Sequence, residues 1–286
     1  MPPLIRAMRP SQWTKNGFVL APLLFGKAIG APGALGRTAA VAFAFCLVSS
    51  AVYLSNDVAD RDSDRAHPTK RHRPVASGTL PVAHALAAAA VLFAAGVALA
   101  FFGARSALLP LGIYAVLTTA YSFVLKRIAL LDVLVISAGF VLRVLAGAVA
   151  ANVRASHWLL LCTFFVALFL ALSKRRGELA SLGAGGRAAL EGLSLPLVES
   201  FETVALGVTI LCYALYTVSP ETIAYFGSDR LMYTVPFVVF GLFRWRVLET
   251  RRSFDDPSAD LFTDAGLLVT VLLWGVTAGS LIYLFR

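Results

Sequence analysis

The sequence predicts an all-α membrane protein, a polytopic bundle of about nine transmembrane helices that forms a single domain over residues 1–286. Hydrophobic residues make up 58% of the chain and charged residues only 14%, whereas a soluble domain carries roughly a quarter charged residues. The apolar residues form blocks of about twenty, the length that spans a bilayer core. Most charged residues lie in short segments between these blocks, as in loops at a membrane surface.

Each apolar block predicts one membrane span. The first block is the weakest, because Lys27 and Gly30 interrupt it, and we expect this span to be short or tilted. The approximate spans are 16–35, 38–58, 81–103, 106–125, 130–150, 156–173, 202–219, 231–248 and 265–285.

Lys and Arg concentrate on one side of the predicted spans. The N-terminal segment and the loops that follow even-numbered spans hold most of them. Since positive residues favour cytoplasmic loops, this asymmetry predicts a cytoplasmic N-terminus and an external C-terminus. The net charge of +9 therefore suits an anionic membrane leaflet, and nucleic-acid binding is not expected.

The end of the second span carries the strongest functional signal. Asn56, Asp60 and Asp64 are spaced i, i+4 and i+8. On a helix these positions drift by only about 80° in total, so their side chains form one stripe. Oxygen ligands in a row suit Mg²⁺, which shares phosphate oxygens with its substrate. The stripe therefore predicts catalytic metal ligands; the alternative is the solvated start of a charged loop.

A cationic segment, His67–Gly78, follows this stripe directly. Pro68 is expected to end the helix, and Lys70, Arg71 and Arg73 come within the next few residues. Beside a metal site, such side chains would bind phosphate oxygens. The alternative is a positively charged loop that binds lipid headgroups.

Two further positions have less specific interpretations. Arg143 lies well inside the fifth span, where a charge should face the bundle interior or a cavity; phosphate binding and structural pairing both remain open. Lys126, Arg127 and Asp132 lie at a span boundary, where Lys and Arg commonly extend to the interface; a functional role and a merely interfacial position both remain open.

The segment Asn56–Gly78 resembles the first aspartate-rich motif of the UbiA superfamily of intramembrane prenyltransferases. Segments 9–16, 121–126, 142–147 and 173–179 extend the resemblance over essentially the whole chain. They are most similar to the branch that transfers a phosphoribosyl group to decaprenyl phosphate. Most superfamily members carry a second aspartate-rich motif after the sixth span, but here segment 173–179 is basic with a single acid. This departure favours a phosphorylated sugar donor over aromatic prenylation.

The resemblance implies a Mg²⁺-dependent enzyme of the bacterial plasma membrane with a cytoplasmic active site. The reaction would move 5-phosphoribosyl from phosphoribosyl diphosphate to a polyprenyl (decaprenyl) phosphate and release diphosphate, for arabinan precursors of the cell wall. A homo-oligomer is left open. The resemblance adds substrate-binding residues to those named above, and the full expected set is Lys15, Lys70, Arg71, Arg73, Tyr121, Lys126, Arg143, Lys174, Arg175 and Glu178.

Two other functions are alternatives to this one. A UbiA-type prenyltransferase that uses a prenyl diphosphate and an aromatic acceptor shares the fold and the first motif. A transporter would place ionisable groups near the midplane of the bilayer. Here they cluster at one face, which argues against transport.

Overall fold

The structure, a computed structural model, describes residues 1–182, 192–249 and 264–284. Every regular element in these ranges is helical. The α-helices are α1 (Pro3–Met8), α2 (Ala21–Phe25), α3 (Ala34–Ala59), α4 (Arg61–Ala66), α5 (Val82–Gly103), α6 (Leu108–Phe123), α7 (Leu131–Ala151), α8 (His157–Leu182), α9 (Leu195–Val218), α10 (Pro220–Phe226), α11 (Val235–Glu249) and α12 (Ala265–Tyr283). Short 3₁₀ helices connect several of them: Pro10–Leu20, Lys70–His72, Arg105–Ala107, Leu125–Arg127 and Arg230–Thr234.

Eight helical segments among the described residues are long and apolar enough to cross a membrane. They correspond to the second through ninth predicted spans, so the predicted fold class is confirmed. The segments are Ala34–Ala59, Val82–Gly103, Arg105–Phe123, Leu131–Ala151, His157–Ala180, Leu195–Val218, Arg230–Glu249 and Ala265–Tyr283.

The first predicted span is not a long α-helix. It consists of the 3₁₀ helix Pro10–Leu20 and the short helix α2. Pro22 lies at the start of α2 and has no N–H to donate to the preceding turn. Lys27 then takes a left-handed backbone conformation, with φ of 50°, which ends α2. Two breaks in so short a segment explain why the expected helix does not form.

This first segment nevertheless runs along α3 in the opposite direction. Arg9, at its beginning, pairs with Asp57 near the C-terminal end of α3. Leu23, near its end, packs with Ala34 at the first residue of α3. A 3₁₀ helix rises about 2 Å per residue, so a few residues cover a long distance. The segment therefore extends along nearly the whole of α3 without a long α-helix.

The chain groups into two compact units. The first comprises Met1–Leu125 and Leu142–Arg154. Within it α3 packs closely against α5 at Gly96, where a Cβ would lie 2.8 Å from a methyl carbon of Val48. A similar approach occurs at Gly147, where a Cβ would lie 1.9 Å from the carbonyl oxygen of Val19. Only glycine allows the backbone to come so near at these two positions.

A small core near the C-terminal end of α3 positions the cationic loop of the first unit. Leu54 of α3 packs with Val75 and Leu80 of the segment that follows α4. All three side chains are buried. Because this apolar contact holds the loop against α3, the charged residues between them come together.

The second unit comprises Lys126–Val141 and Ala155–Arg286. Its core includes Phe169 of α8, Val198 of α9 and Trp245 of α11. These residues bring the middle of α8 and the C-terminal part of α11 together with the first turn of α9. The single domain over 1–286 stays a prediction.

Candidate active site

The predicted acidic stripe lies at the C-terminal end of α3 and continues into α4. Asp60 separates the two helices, with φ of −89° and ψ of 5°. Its N–H still donates to the carbonyl oxygen of Asn56, and the N–H of Asp64 donates to that of Asp60, both at 2.8 Å. The i to i+4 hydrogen bonds therefore continue across the break, and the three residues keep the predicted succession.

Arg73 distinguishes Asp64 from the other two residues of this stripe, because it forms an ion pair with Asp64. The Nη1 of Arg73 donates to Oδ2 of Asp64 at 2.8 Å and to Oδ1 of Asp57 at 3.2 Å. Asp57 and Asp64 are seven residues apart, which is within about 20° of two full helical turns. Asp64 therefore faces the same side as Asp57, and Arg73 bridges the two carboxylates.

Sequence reasoning missed Asp57 as a site residue. Its side chain is buried, and it also accepts a hydrogen bond from Arg9 at 2.5 Å. Two signals could have found it. The seven-residue spacing from Asp64 places both carboxylates on one face, and Arg9 opens the N-terminal segment that resembles the superfamily branch.

Asn56 carries the most unusual atom of the stripe. Its Oδ1 is buried and has no hydrogen-bond partner among the described residues. Buried polar atoms normally have a partner, and an amide oxygen is a ligand that Mg²⁺ accepts. A carboxylate, Asp60, lies one helical turn further on. The donor types at this position therefore fit a hard cation.

No three His, Cys, Asp or Glu side chains group as metal ligands in the described part of the chain. The predicted set contains only two carboxylates, Asp60 and Asp64, and Arg73 engages one of them. The assignment of Asn56, Asp60 and Asp64 as catalytic metal ligands stays a prediction, which the unpartnered amide oxygen supports.

The three predicted phosphate-binding residues of the loop lie in two environments. Lys70 and Arg71 are exposed, on the 3₁₀ turn Lys70–His72. His67 shapes this turn, because its Nδ1 accepts the N–H groups of Thr69 at 3.3 Å and of Lys70 at 3.4 Å. Arg73 instead turns inward to the two carboxylates.

An open cavity of about 300 Å³ lies beside Asp57. Arg6 and Arg9 from the N-terminal segment line it together with Arg73, and the loop adds Thr69, His72 and Pro74. Arg6 also donates to the carbonyl oxygen of His72. Three guanidinium groups thus face a cavity in which, among the described residues, Asp57 is the single lining carboxylate, so this lining is positively charged.

Arg143 is buried in the first unit, where it connects three segments. Its Nε donates to Oδ1 of Asn16 at 2.7 Å and its Nη2 to the hydroxyl of Tyr114 at 2.9 Å. The guanidinium also lies 4.5 Å from the centre of the Tyr114 ring. These are the contacts expected of structural pairing, and they fasten the 3₁₀ helix to α6 and α7. Substrate binding by Arg143 stays a prediction.

Lys15 and Tyr121 also belong to the first unit. Lys15 is half-buried on the 3₁₀ helix and donates to Oε1 of Gln12. Tyr121 is half-buried near the end of α6. Neither position tests the predicted contact with substrate.

The second unit holds the other four predicted substrate-binding residues. Lys126 lies half-buried in the turn Leu125–Arg127, and Lys174 is half-buried on α8. Arg175 is buried and donates to Oδ2 of Asp132 at 2.6 Å and to Oε2 of Glu178 at 2.5 Å. Two carboxylates thus bind this guanidinium, and substrate binding by these residues stays a prediction.

The same unit contains a second network of ion pairs, which the sequence did not predict. Arg246 donates to Glu202 at 2.6 Å and to Glu249 at 3.1 Å, and Arg176 lies within 3.6 Å of both carboxylates. Glu202 and Glu249 are buried. The network joins the ends of α8 and α11 to the start of α9. The available signal was an acid within the first apolar turns of the seventh span.

The family relationship of this chain follows from its sequence. The sequence model of the UbiA prenyltransferase family matches residues 19–282. The chain belongs to the UbiA prenyltransferase family. This UbiA family member is accordingly a multi-pass membrane protein, as its long apolar helices indicate.

Two relatives share a name that specifies an activity. The UbiA family member is 34% identical over 293 residues to a decaprenyl-phosphate phosphoribosyltransferase of Mycolicibacterium smegmatis, an alignment covering 98% of this chain and 92% of the relative. It is 32% identical over 284 residues to the protein of that name from Mycobacterium tuberculosis, with 97% and 93% covered.

The fold also matches a solved structure. A UbiA homolog from Archaeoglobus fulgidus bound to GPP and Mg²⁺ superposes with a TM-score of 0.74 at 16% sequence identity, covering 98% of this chain and 99% of that one. At this identity the likeness establishes the fold.

Proposed function

We propose that this UbiA family member transfers the 5-phosphoribosyl group of phosphoribosyl diphosphate to a polyprenyl phosphate and releases diphosphate. The observation that carries the proposal is the buried, unpartnered Oδ1 of Asn56, one helical turn before Asp60 and close in sequence to a loop rich in Lys and Arg. A cation ligand beside phosphate-binding cations suits a diphosphate donor. The shared name of the two mycobacterial relatives supports the choice of sugar and acceptor.

We assign Mg²⁺ to Asn56, Asp60 and Asp64. Arg73 binds Asp64 through Oδ2, which leaves Oδ1 for another ligand. Bound there, Mg²⁺ would offset the negative charge that develops on the departing diphosphate. The A. fulgidus homolog, with its bound GPP and Mg²⁺, is a precedent for this pairing within the fold.

The chain itself contributes positioning and charge. Lys70, Arg71 and Arg73 supply donors for the phosphate oxygens of the donor substrate. The acceptor phosphate is already ionised at neutral pH, so no strong general base is needed. One of its oxygens bonds to the anomeric carbon while the bond from that carbon to the diphosphate oxygen breaks. Catalysis then consists mainly of orientation and stabilisation of the leaving group.

The remaining assignments extend this proposal. Lys15 in the first unit or Lys126 in the second would contact the acceptor phosphate, and Tyr121, Lys174, Arg175 and Glu178 follow the resemblance as further substrate-binding residues. Arg143, which pairs with Asn16 and Tyr114, is assigned to structural pairing instead. We place the protein in the bacterial plasma membrane with a cytoplasmic N-terminus and active site. The lipid product would serve the synthesis of cell-wall arabinan.

The test is transfer of labelled ribose 5-phosphate from phosphoribosyl diphosphate to polyprenyl phosphate by purified protein in detergent, with Mg²⁺ or with a chelator. The proposal expects a labelled lipid that forms only with Mg²⁺. Asp60→Asn should abolish it. Asp62→Asn is the matched control, because the Asp62 side chain is 84% exposed and contacts only Arg61 and Arg65 among charged groups; it should retain full activity.

The same preparation should be offered a prenyl diphosphate and an aromatic acceptor. Its structural likeness to a homolog bound to GPP makes aromatic prenylation the second candidate. A prenylated aromatic product without any phosphoribosyl lipid would replace the first proposal with the second. Full phosphoribosyl transfer by Asp60→Asn would remove the metal assignment.

A further inference from the structure

The cavity beside Asp57 has unused hydrogen-bonding capacity. Arg6 and Arg9 each bond through Nη2 alone, and Arg73 bonds through Nη1 alone. A guanidinium carries five N–H donors. Most donors of these three side chains therefore make no hydrogen bond to the described residues, although all three line one cavity.

Asp57 holds two of these arginines in place. Its Oδ1 accepts from Arg9 at 2.5 Å and from Arg73 at 3.2 Å, and its side chain is only 2% exposed. A buried carboxylate that fixes two guanidinium groups reduces the freedom they would lose on binding a ligand. It offsets only part of their charge, so the cavity is arranged to receive an anion.

The chemistry of the lining selects the kind of anion. Arginine forks pair with phosphate through two parallel hydrogen bonds, and the hydroxyl of Thr69 and the ring of His72 add further polar groups. Around the end of α3, Asp57 lies about 100° from Asn56. The cavity thus lies on the side of the helix end that Asp57 shares with Asp64, about a quarter turn from the unpartnered oxygen of Asn56.

We propose that this cavity binds a phosphate monoester, namely the 5-phosphate of the phosphoribosyl donor. This assignment rests on the proposed function. Phosphoribosyl diphosphate is anionic at both ends, so its diphosphate and its 5-phosphate can occupy two neighbouring faces of α3. A prenyl diphosphate is anionic at one end only and leaves the cavity empty. Arg6, Arg9 and Arg73 would therefore select the donor. A lipid headgroup phosphate has the same chemistry and is the competing source.

Ribose 5-phosphate is the probe, because it carries the 5-phosphate and lacks the diphosphate. Its binding to purified protein in detergent is measured by calorimetry, with inorganic diphosphate in parallel. Arg6→Gln and Arg9→Gln should each weaken ribose 5-phosphate binding about tenfold, as expected for loss of one charge-assisted contact. Binding of diphosphate with Mg²⁺ should change less than about twofold.

Arg61→Gln is the matched control, because it removes one positive charge from the same region at a residue that does not line the cavity. It should leave ribose 5-phosphate binding unchanged. Arg9→Gln removes a partner of the buried Asp57, so a loss of binding in that variant can also come from misfolding. Arg6→Gln separates the two causes, because the Arg6 side chain hydrogen-bonds in the described chain only to the carbonyl oxygen of His72.

The proposal would be overturned if the unmodified protein did not bind ribose 5-phosphate, or if Arg61→Gln weakened this binding as much as the cavity variants do. It would also be overturned if Arg6→Gln and Arg9→Gln left ribose 5-phosphate binding unchanged and raised the KM for polyprenyl phosphate. The last would assign the cavity to the lipid phosphate. Because the binding measurement needs no turnover, arginine-dependent binding without phosphoribosyl transfer would support the cavity assignment while rejecting the proposed function.

Discussion

The charged clusters of the two units differ in balance. In the second unit, Arg176 and Arg246 contact two buried carboxylates, Glu202 and Glu249. In the first unit, three arginines line a cavity with one carboxylate. One cluster neutralises its own charges, whereas the other retains a surplus of positive charge and of hydrogen-bond donors.

This difference in charge balance indicates which cluster stabilises the fold and which binds a ligand. A balanced, buried ion-pair network needs no ligand, and here it joins the ends of three helices. Its unpartnered atoms, Nε of Arg176 and Oε1 of Glu202, belong to charged groups that are paired with each other at 3.5 Å. The amide oxygen of Asn56 has no such pairing in the described chain. We therefore interpret the first cluster as the substrate site and the second as part of the scaffold.

The largest expected change in stability follows removal of one charge from the balanced cluster. Glu202→Gln would leave Arg176 and Arg246 with Glu249 as their one fully buried carboxylate, and breaking a buried pair costs about 3–5 kcal/mol. We expect the free energy of unfolding in detergent to fall by that amount, while the folded fraction keeps its turnover number. A loss of turnover without a loss of stability would reverse the interpretation of the two clusters.

Arg244→Gln is the comparison variant for this measurement. Arg244 binds both oxygens of Asp264, at 3.2 and 2.8 Å, but its side chain is 34% exposed. An ion pair that water reaches contributes little. The unfolding midpoint should therefore change far less than for Glu202→Gln.

A smaller loss of stability is expected on substitution of Arg143. The sequence alone leaves both substrate binding and structural pairing open for this residue. Arg143→Leu would deprive Asn16 and Tyr114 of a buried donor, and each unsatisfied group costs about 1–3 kcal/mol. We expect lower stability with an unchanged KM for phosphoribosyl diphosphate. A raised KM at unchanged stability would instead place Arg143 in the substrate site.

The long spans could be predicted because their apolar length is a local property of the chain. The first span could not be predicted in detail, because its 3₁₀ form depends on its packing against α3 and Gly147. Hydropathy identified it as apolar, and Lys27 indicated an interruption, but neither specifies the type of helix.

The site was predicted in part for the same reason. The spacing of Asn56, Asp60 and Asp64 is visible along one helix, whereas the partners of Asp57 come from Arg9 and Arg73, 48 and 16 residues away. The network around Glu202 depends on Arg246, 44 residues distant. Contacts at such separations follow from tertiary packing, and no local sequence pattern predicts them. The acidic group Asp255, Asp256, Asp260 and Asp264 has a less regular spacing, which indicates a solvated loop. The first three lie outside the described residues, and Asp264 pairs with Arg244.

Asn56→Leu, measured for both stability and turnover, tests the central claim most directly. Leucine has a similar shape and lacks the amide oxygen. No hydrogen bond to the described residues is lost, so the free energy of unfolding should change by less than about 0.5 kcal/mol. If the oxygen holds the metal that stabilises the departing diphosphate, phosphoribosyl transfer should fall at least about 100-fold. A variant that keeps full transfer, or one that loses activity only by unfolding, would contradict the assignment of this helix end as the active site.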